Sequence, residues 1–262
     1  MRTIAIINLK GGVAKTTSSI NIAYILSQRG YEVLLVDNDK QGDCSRGMKR
    51  RTQDGAGIDR IMIERKPDMS SLIQKTEYES LDIITANLNL LTANMEVTMD
   101  RVRPQQTRLK NALQQVQDKY DFCVIDNAPD INISVINALT AADDVLIPLE
   151  VDDNTTEGMS ELLDQIDEIK SELNPELKNV KCFISKYNKY NEAHAQGAEI
   201  IREWYPTMKT VIRNSLAVAK STYARIPVAL FSKRSAAAED YQTLVDEYLQ
   251  MLGLGGNDGK EI

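Results

Sequence analysis

The opening stretch of the chain constrains the fold more than any other. Residues 3–8 are a β-branched apolar run, and residues 9–14 carry the glycines Gly11 and Gly12. Residues 15–29 then place Ile20, Ala23, Ile25 and Leu26 on one helical face. A buried strand that passes through a glycine turn into an amphipathic helix is the repeating unit of α/β folds. Gly30 predicts the end of that helix, and residues 31–37 (YEVLLVD) read as a second buried strand. The alternation continues, with strands expected at residues 81–86, 122–126, 144–149, 180–185 and 210–213. Helices are expected at residues 105–120, 133–142, 156–173, 193–204 and 236–252. Strands alternating with helices predict right-handed crossovers and a doubly wound, mostly parallel α/β sheet flanked by helices. No linker or repeat interrupts residues 1–252, so one domain is expected, followed by an unordered glycine-rich tail over residues 253–262.

In such a sheet, ligands bind beyond the carboxyl ends of the strands. The turn Lys10-Gly11-Gly12-Val13-Ala14-Lys15-Thr16-Thr17 stands at the first of these ends. Backbone N–H groups, a helix N-terminus and a lysine together supply the positive potential that a phosphate cradle needs. The strict pattern G-x-x-x-x-G-K-[ST] fails, however, because Leu9 and Ala14 occupy its glycine positions. Carboxylates follow at the next strand ends. Asp37 and Asp39 close the second predicted strand, at a spacing that turns both toward one side. The run Phe122-Cys123-Val124-Ile125-Asp126 is a buried strand delivering an acid, the arrangement that sets a carboxylate beside a phosphate-bound metal.

Taken together, Lys10-Gly11-Gly12-x-x-Lys15-Thr16 resembles the deviant Walker A motif of ParA/Soj-type partition ATPases in the ParA/MinD superfamily. The segment from Asp37 to Asp43 resembles that family's D-x-D-P-Q-G-N, with Lys40 where proline is usual and Asp43 where asparagine is usual. The resemblance implies a P-loop NTPase with ATP and Mg²⁺ as cofactors. It casts Lys15 as the lysine on the β- and γ-phosphates, and Lys10 as the signature lysine that reaches the partner's phosphates in an ATP-bound homodimer. Gly11, Gly12, Val13, Ala14, Thr16 and Thr17 complete the phosphate contacts. Thr16, Asp37 and Asp126 surround the metal, and Asp39 orients the attacking water. Ala14 departs from the glycine usual there; at φ > 0 it would cost about 1–2 kcal/mol.

The likeness extends to the far end, where Val211-Ile212-Arg213-Asn214 resembles I-P-R-N and Arg225-Ile226-Pro227-Val228 resembles G-K-P-V. Pro227 is expected to close over the base, near the strand end at residues 185–188. Family members of this kind bind DNA without sequence preference and respond to a ParB-like activator. By position Arg213 is the first DNA candidate, with Lys186, Lys189, Lys220 and Arg225 beside it. The net charge of −7 means that such binding needs a local patch. Because the first strand opens the sequence, no operator-binding helix-turn-helix is expected ahead of it. Lys49-Arg50-Arg51 reads as solvated surface, and His194 and Trp204 as structural.

Two rival readings meet obstacles in the residues. A MinD-like membrane ATPase needs a basic amphipathic C-terminal helix. Here Tyr241, Leu244, Val245, Tyr248, Leu249 and Leu252 form an apolar stripe whose polar side carries Asp240, Asp246 and Glu247, so the helix belongs on the core. An iron–sulfur carrier needs paired cysteines, whereas Cys44, Cys123 and Cys182 are isolated and read as buried thiols. A non-hydrolysing adaptor that positions a protein cargo without DNA stays open. With no apolar run of ~20 residues and no secretory leader, a cytoplasmic chain that avoids membranes is expected, on the nucleoid when ATP-bound.

Overall fold

The computed structural model of the protein describes residues 1–51, 55–152 and 155–255. The chain opens with β1 (Arg2–Ile6), α1 (Lys15–Gln28), β2 (Val33–Asn38), α2 (Asp43–Gly47), α3 (Ile58–Ile63) and α4 (Met69–Leu72). Next come β3 (Ile73–Lys75), β4 (Leu81–Ile84), α5 (Asn89–Met99), α6 (Arg108–Gln114), β5 (Phe122–Asn127), α7 (Ile133–Ala141) and β6 (Asp144–Glu150). The last part holds α8 (Thr155–Glu172), β7 (Asn179–Tyr187), α9 (Glu192–Trp204), β8 (Thr207–Arg213), α10 (Leu216–Ala224), α11 (Val228–Phe231) and α12 (Ala236–Met251).

The strands form one eight-stranded sheet in the order β3-β4-β2-β5-β1-β6-β7-β8. Every pairing is parallel except β3 with β4, which closes one edge antiparallel. From β1 the chain runs outward to β3 and β4, returns through β5, and leaves on the other side through β6 to β8. The direction of winding therefore changes beside β1, whose carboxyl end bears the glycine turn, and that is where a doubly wound sheet opens its crevice.

Both faces of the sheet are covered, so the strands alternate between two apolar partners instead of between core and water. Ile4 and Ile6 of β1 pack with Leu35, Val124 and the residues of α1 and α12. Ala5 and Ile7 point the other way, toward Val135 and Leu139 of α7 and Leu162 and Ile166 of α8. The expectation that the last helix lies on the core holds: Tyr241, Leu244, Val245, Tyr248 and Leu249 of α12 are buried. Polar anchors fix it. Tyr241 Oη lies 3.0 Å from Ser18 Oγ of α1, and Tyr248 Oη donates to Asp144 Oδ2 at 2.6 Å. Arg2 grips the same carboxylate with two donors at 2.6 and 2.8 Å.

The predicted strands and the six predicted helices are present, with shifted ends. The helix expected over residues 105–120 shortens at both ends to α6, Arg108–Gln114, and passes into turns over residues 115–119. Residues 256–262, most of the expected unordered tail, lie outside the described residues. All three cysteines are buried thiols, as expected. Among the described residues no helix is long and apolar enough to cross a membrane.

Candidate phosphate-binding site

Between β1 and α1 the turn is held from below. Asn8 Nδ2 donates to Pro148 O at 2.8 Å, and Asn8 Oδ1 accepts from Lys10 N at 2.8 Å. Ser185 Oγ donates to Val13 O at 3.0 Å. Gly12 (φ +79°) and Ala14 (φ +71°) both adopt left-handed conformations. A side chain on Gly11 or Gly12 would meet no atom within 4 Å, so the turn has open space beside both residues. At the N-cap of α1, Ala14 offers no side-chain acceptor, and the first turn contains no acid. The helix thus presents unpaired N–H donors and its positive dipole end to that open space, which suits an anion.

Lys15 lies beneath the turn, only 7% exposed, with Nζ donating to Lys10 O at 2.8 Å. Burial lowers its proton affinity, and Asp126, Asp39 and Asp130 counter that effect. Lys10 is on the outer side, half-exposed and ion-paired with Asp152. Thr17 lines the neighbouring cavity, and Asp39 follows β2, with its N donating to Asp37 Oδ1 at 3.1 Å and its Oδ1 accepting from Gln41 N at 2.9 Å.

The two strand-end acids come together as the sequence suggests. Asp37 of β2 and Asp126 of β5 are direct register partners, 0% and 1% exposed. Burial first, and Asp37 second, push Asp126 up to about 8, against hydroxyl bonds from Thr16 and Ser19. The Ser19 bond measures 2.9 Å. Burial also raises Asp37 to about 6, although Ser45 N and Oγ both donate to its Oδ2, at 2.7 and 2.6 Å. Sequence reasoning passed over Ser19 and Ser45, since serines carry no signature until the fold aims them at a carboxylate. Among the described residues no group of three or more His, Cys, Asp or Glu could hold a metal alone. A cation here would draw the rest of its oxygen ligands from phosphates, as Mg²⁺ commonly does.

A cavity of about 260 Å³ adjoins Thr16 and Thr17, walled by Asn21 of α1, Ser221 and Thr222 of α10, and Arg225 and Pro227. Pro227, expected to close over a base, lines this cavity. The 185–188 strand end does not reach this cavity; Ser185 is spent on holding the turn. The contribution of α10 went unread in the sequence. Arg225, a DNA candidate, is exposed and also lines the cavity. Arg213 forks onto Asp240 of α12, with Nη2–Oδ1 at 2.6 Å and Nε–Oδ2 at 2.8 Å. Lys186 pairs with Glu150 at 3.0 Å, and Lys189 stacks over Tyr190 at 5.0 Å. Lys220 is exposed on α10.

Comparison with known proteins decides the family. The AAA domain family matches residues 1–179. The sporulation initiation inhibitor protein Soj of Bacillus subtilis is 33% identical over 248 residues, covering 94% of this chain and 97% of its own. The chain belongs to the ParA/Soj family. Another ParA/Soj relative, the chromosome partitioning protein ParA of Caulobacter vibrioides, is 31% identical and spans 95% of this chain and 94% of its own. The fold agrees with a solved structure, that of cobyrinic acid a,c-diamide synthase from Mycobacterium smegmatis with bound ATP analog and magnesium. That chain superposes with a TM-score of 0.85 at 25% identity, covering 98% of this chain and 97% of the other. The deviant Walker A turn, the paired acids and the ParA/Soj membership point to one site.

Proposed function

We propose that the chain is a Mg²⁺-dependent ATPase that dimerises on ATP, binds DNA non-specifically and is stimulated by a ParB-like partner. The observation that carries the nucleotide part is the uncapped N-terminus of α1 facing open space, with Lys15 below it and the Asp37/Asp126 pair behind. The backbone donors of residues 11–17 and Lys15 Nζ hold the phosphates, and Pro227 and Thr222 bound the pocket for the base. Thr16, Asp37 and Asp126 would hold Mg²⁺, which when bound supplies positive charge against the phosphate oxygens. Two buried acids of raised proton affinity fit that role, because a cation supplies the counter-charge that burial denies them. Asp39, hydrogen-bonded to Asp37, orients the water. Lys10 leaves Asp152 and extends toward a second copy's phosphates, adding charge where it develops in the transition state. The open side of Gly11 and Gly12 leaves room for that approach. A cytoplasmic, nucleoid-associated protein is the setting this implies.

The test is ATP-dependent retention on duplex DNA across a salt series. Retention with ATP that falls steeply with salt is expected, because neutralising phosphates releases counterions. Lys15→Ala should abolish it, and retention that is equal with ADP and ATP would overturn the proposal. A second reading, an ATP switch that positions a protein cargo without DNA, draws support from the commitment of Arg213 to Asp240 and of Lys186 to Glu150. It predicts ATP-dependent dimerisation with no DNA retention even at low salt.

A further inference from the structure

The helix α5 is apolar on two sides. Leu90, Ala93 and Val97 face the core. On the opposite side Leu88, Leu91, Met95 and Met99, continued by Val102, are between 48% and 89% exposed. Their spacing of three and four residues lays them in one line, because such positions share a helix face. Singly exposed apolar residues are ordinary, but a continuous row marks a contact surface. At its end Val102 lines a cavity of about 290 Å³ together with Arg65, Pro67 and Pro104. Of the acids near that end, Asp100 holds Arg103 and Arg108, both at 2.7 Å, and Glu64 pairs with Arg60 at 3.4 Å, while Glu96 lies exposed further back on α5. Arg65 and Arg101 have no ion-pair partner among the described residues and leave that end positive.

We propose that this row is the docking surface for an amphipathic helical segment of a partner protein, whose acidic end meets Arg65 and Arg101. The row is one residue wide and, over the 11 residues of α5, about 17 Å long. That is the footprint of a single short helix laid along another, too small for the roughly 800 Å² per subunit of a stable homodimer. On its inner flank α5 is joined to the carboxylate site by a chain of hydrogen bonds. Asn94 Nδ2 donates to Ser134 Oγ at 3.3 Å, and Ser134 O accepts from Asn38 Nδ2 at 3.0 Å. Asn38 directly follows Asp37 and also bonds Asn127, the residue after Asp126, at 2.7 Å. A helix seated on α5 therefore acts on both acids through Asn94. This regulatory half rests on the ATPase reading; the docking half does not.

The experiment is selection from a phage-displayed library of amphipathic helices on the immobilised full chain, with the winners remade as peptides and titrated by fluorescence anisotropy. Winners with acidic residues at one end are expected. Met95→Glu should weaken them about tenfold or more, as a charge facing an apolar anchor does, and Arg65→Glu with Arg101→Glu should weaken them too. Circular dichroism of each variant checks folding. Winners that ignore Met95→Glu, winners with basic ends, or no enrichment would overturn the proposal. Two results would also overturn it by reassigning the surface: self-association of the chain lost on Met95→Glu, or binding to phosphatidylglycerol vesicles lost on Met95→Glu. A winner that changes ATP turnover in the native chain but not in Asn94→Leu supports the link to the acids. Unchanged turnover in both removes that link while leaving the docking intact.

Discussion

Ala14→Gly isolates a single physical effect at the centre of the site. The alanine sits at φ +71°, ψ +25° at the N-cap of α1. An L-residue in that region pays about 1–2 kcal/mol against its preferred backbone. Glycine removes that cost but gives back about 0.4–1 kcal/mol, because its unfolded chain is freer. The difference leaves Ala14→Gly more stable by about 0.5–1 kcal/mol, and a domain of this size then gains roughly 1–4 °C in melting temperature. Gly30→Ala is the reverse control: it adopts φ +84° with no atom within 4 Å of an added Cβ, so it adds strain without a clash. The assay is thermal and urea unfolding of nucleotide-free protein in EDTA, with m-values compared to confirm that the denatured state is unchanged. Ala14→Gly that is neutral or destabilising, or Gly30→Ala that is harmless, would refute the reasoning. The same variant should bind ATP at least as well as the native chain, since the backbone shape is kept.

The raised acids make the nucleotide-free fold sensitive to pH in a stated direction. Asp37 is lifted to about 6 and Asp126 to about 8, so the folded state keeps protons that the unfolded chain has already lost, and stability falls as pH climbs from 4 to 8. Asp126→Asn should flatten most of that slope and raise the melting temperature at pH 8; an unchanged slope sinks the assignment. Tyr248→Phe removes a 2.6 Å bond to the buried Asp144 carboxylate and should cost about 1.5–3 kcal/mol in urea unfolding, a loss that a neutral result would contradict. Lys10→Ala should leave the affinity for a fluorescent ATP analogue nearly intact while lowering turnover about a hundredfold or more, measured by phosphate release. Native turnover would show that Lys10 stays with Asp152 throughout.

Much of the fold and the phosphate site could be read from residues because their signals are local. A β-branched run, a glycine turn and a strand-end acid each declare themselves within a few positions, and Asp37 facing Asp126 follows once both strands are placed. What escaped reading depends on tertiary partners. The helix α5 hides from periodicity because both of its sides are apolar, which erases the contrast that marks a helix. The strand β3 is three residues long and holds only by pairing with β4. Arg213 looks free until α12, 27 residues later, brings Asp240 onto it. Ser19 and Ser45 acquire meaning only as donors to acids 107 residues ahead and 8 behind.

The contact between Ser18 and Tyr241 joins positions 223 apart, and Asp144 waits for Tyr248 across 104. A ribosome adds residues at about 5–20 per second, so the helix beneath the phosphates emerges tens of seconds before the element that backs it. Until α12 leaves the exit tunnel, one side of α1 is wet and its first turn unsupported. On the proposed reading, a nascent chain gains a fully backed nucleotide site only with this last helix.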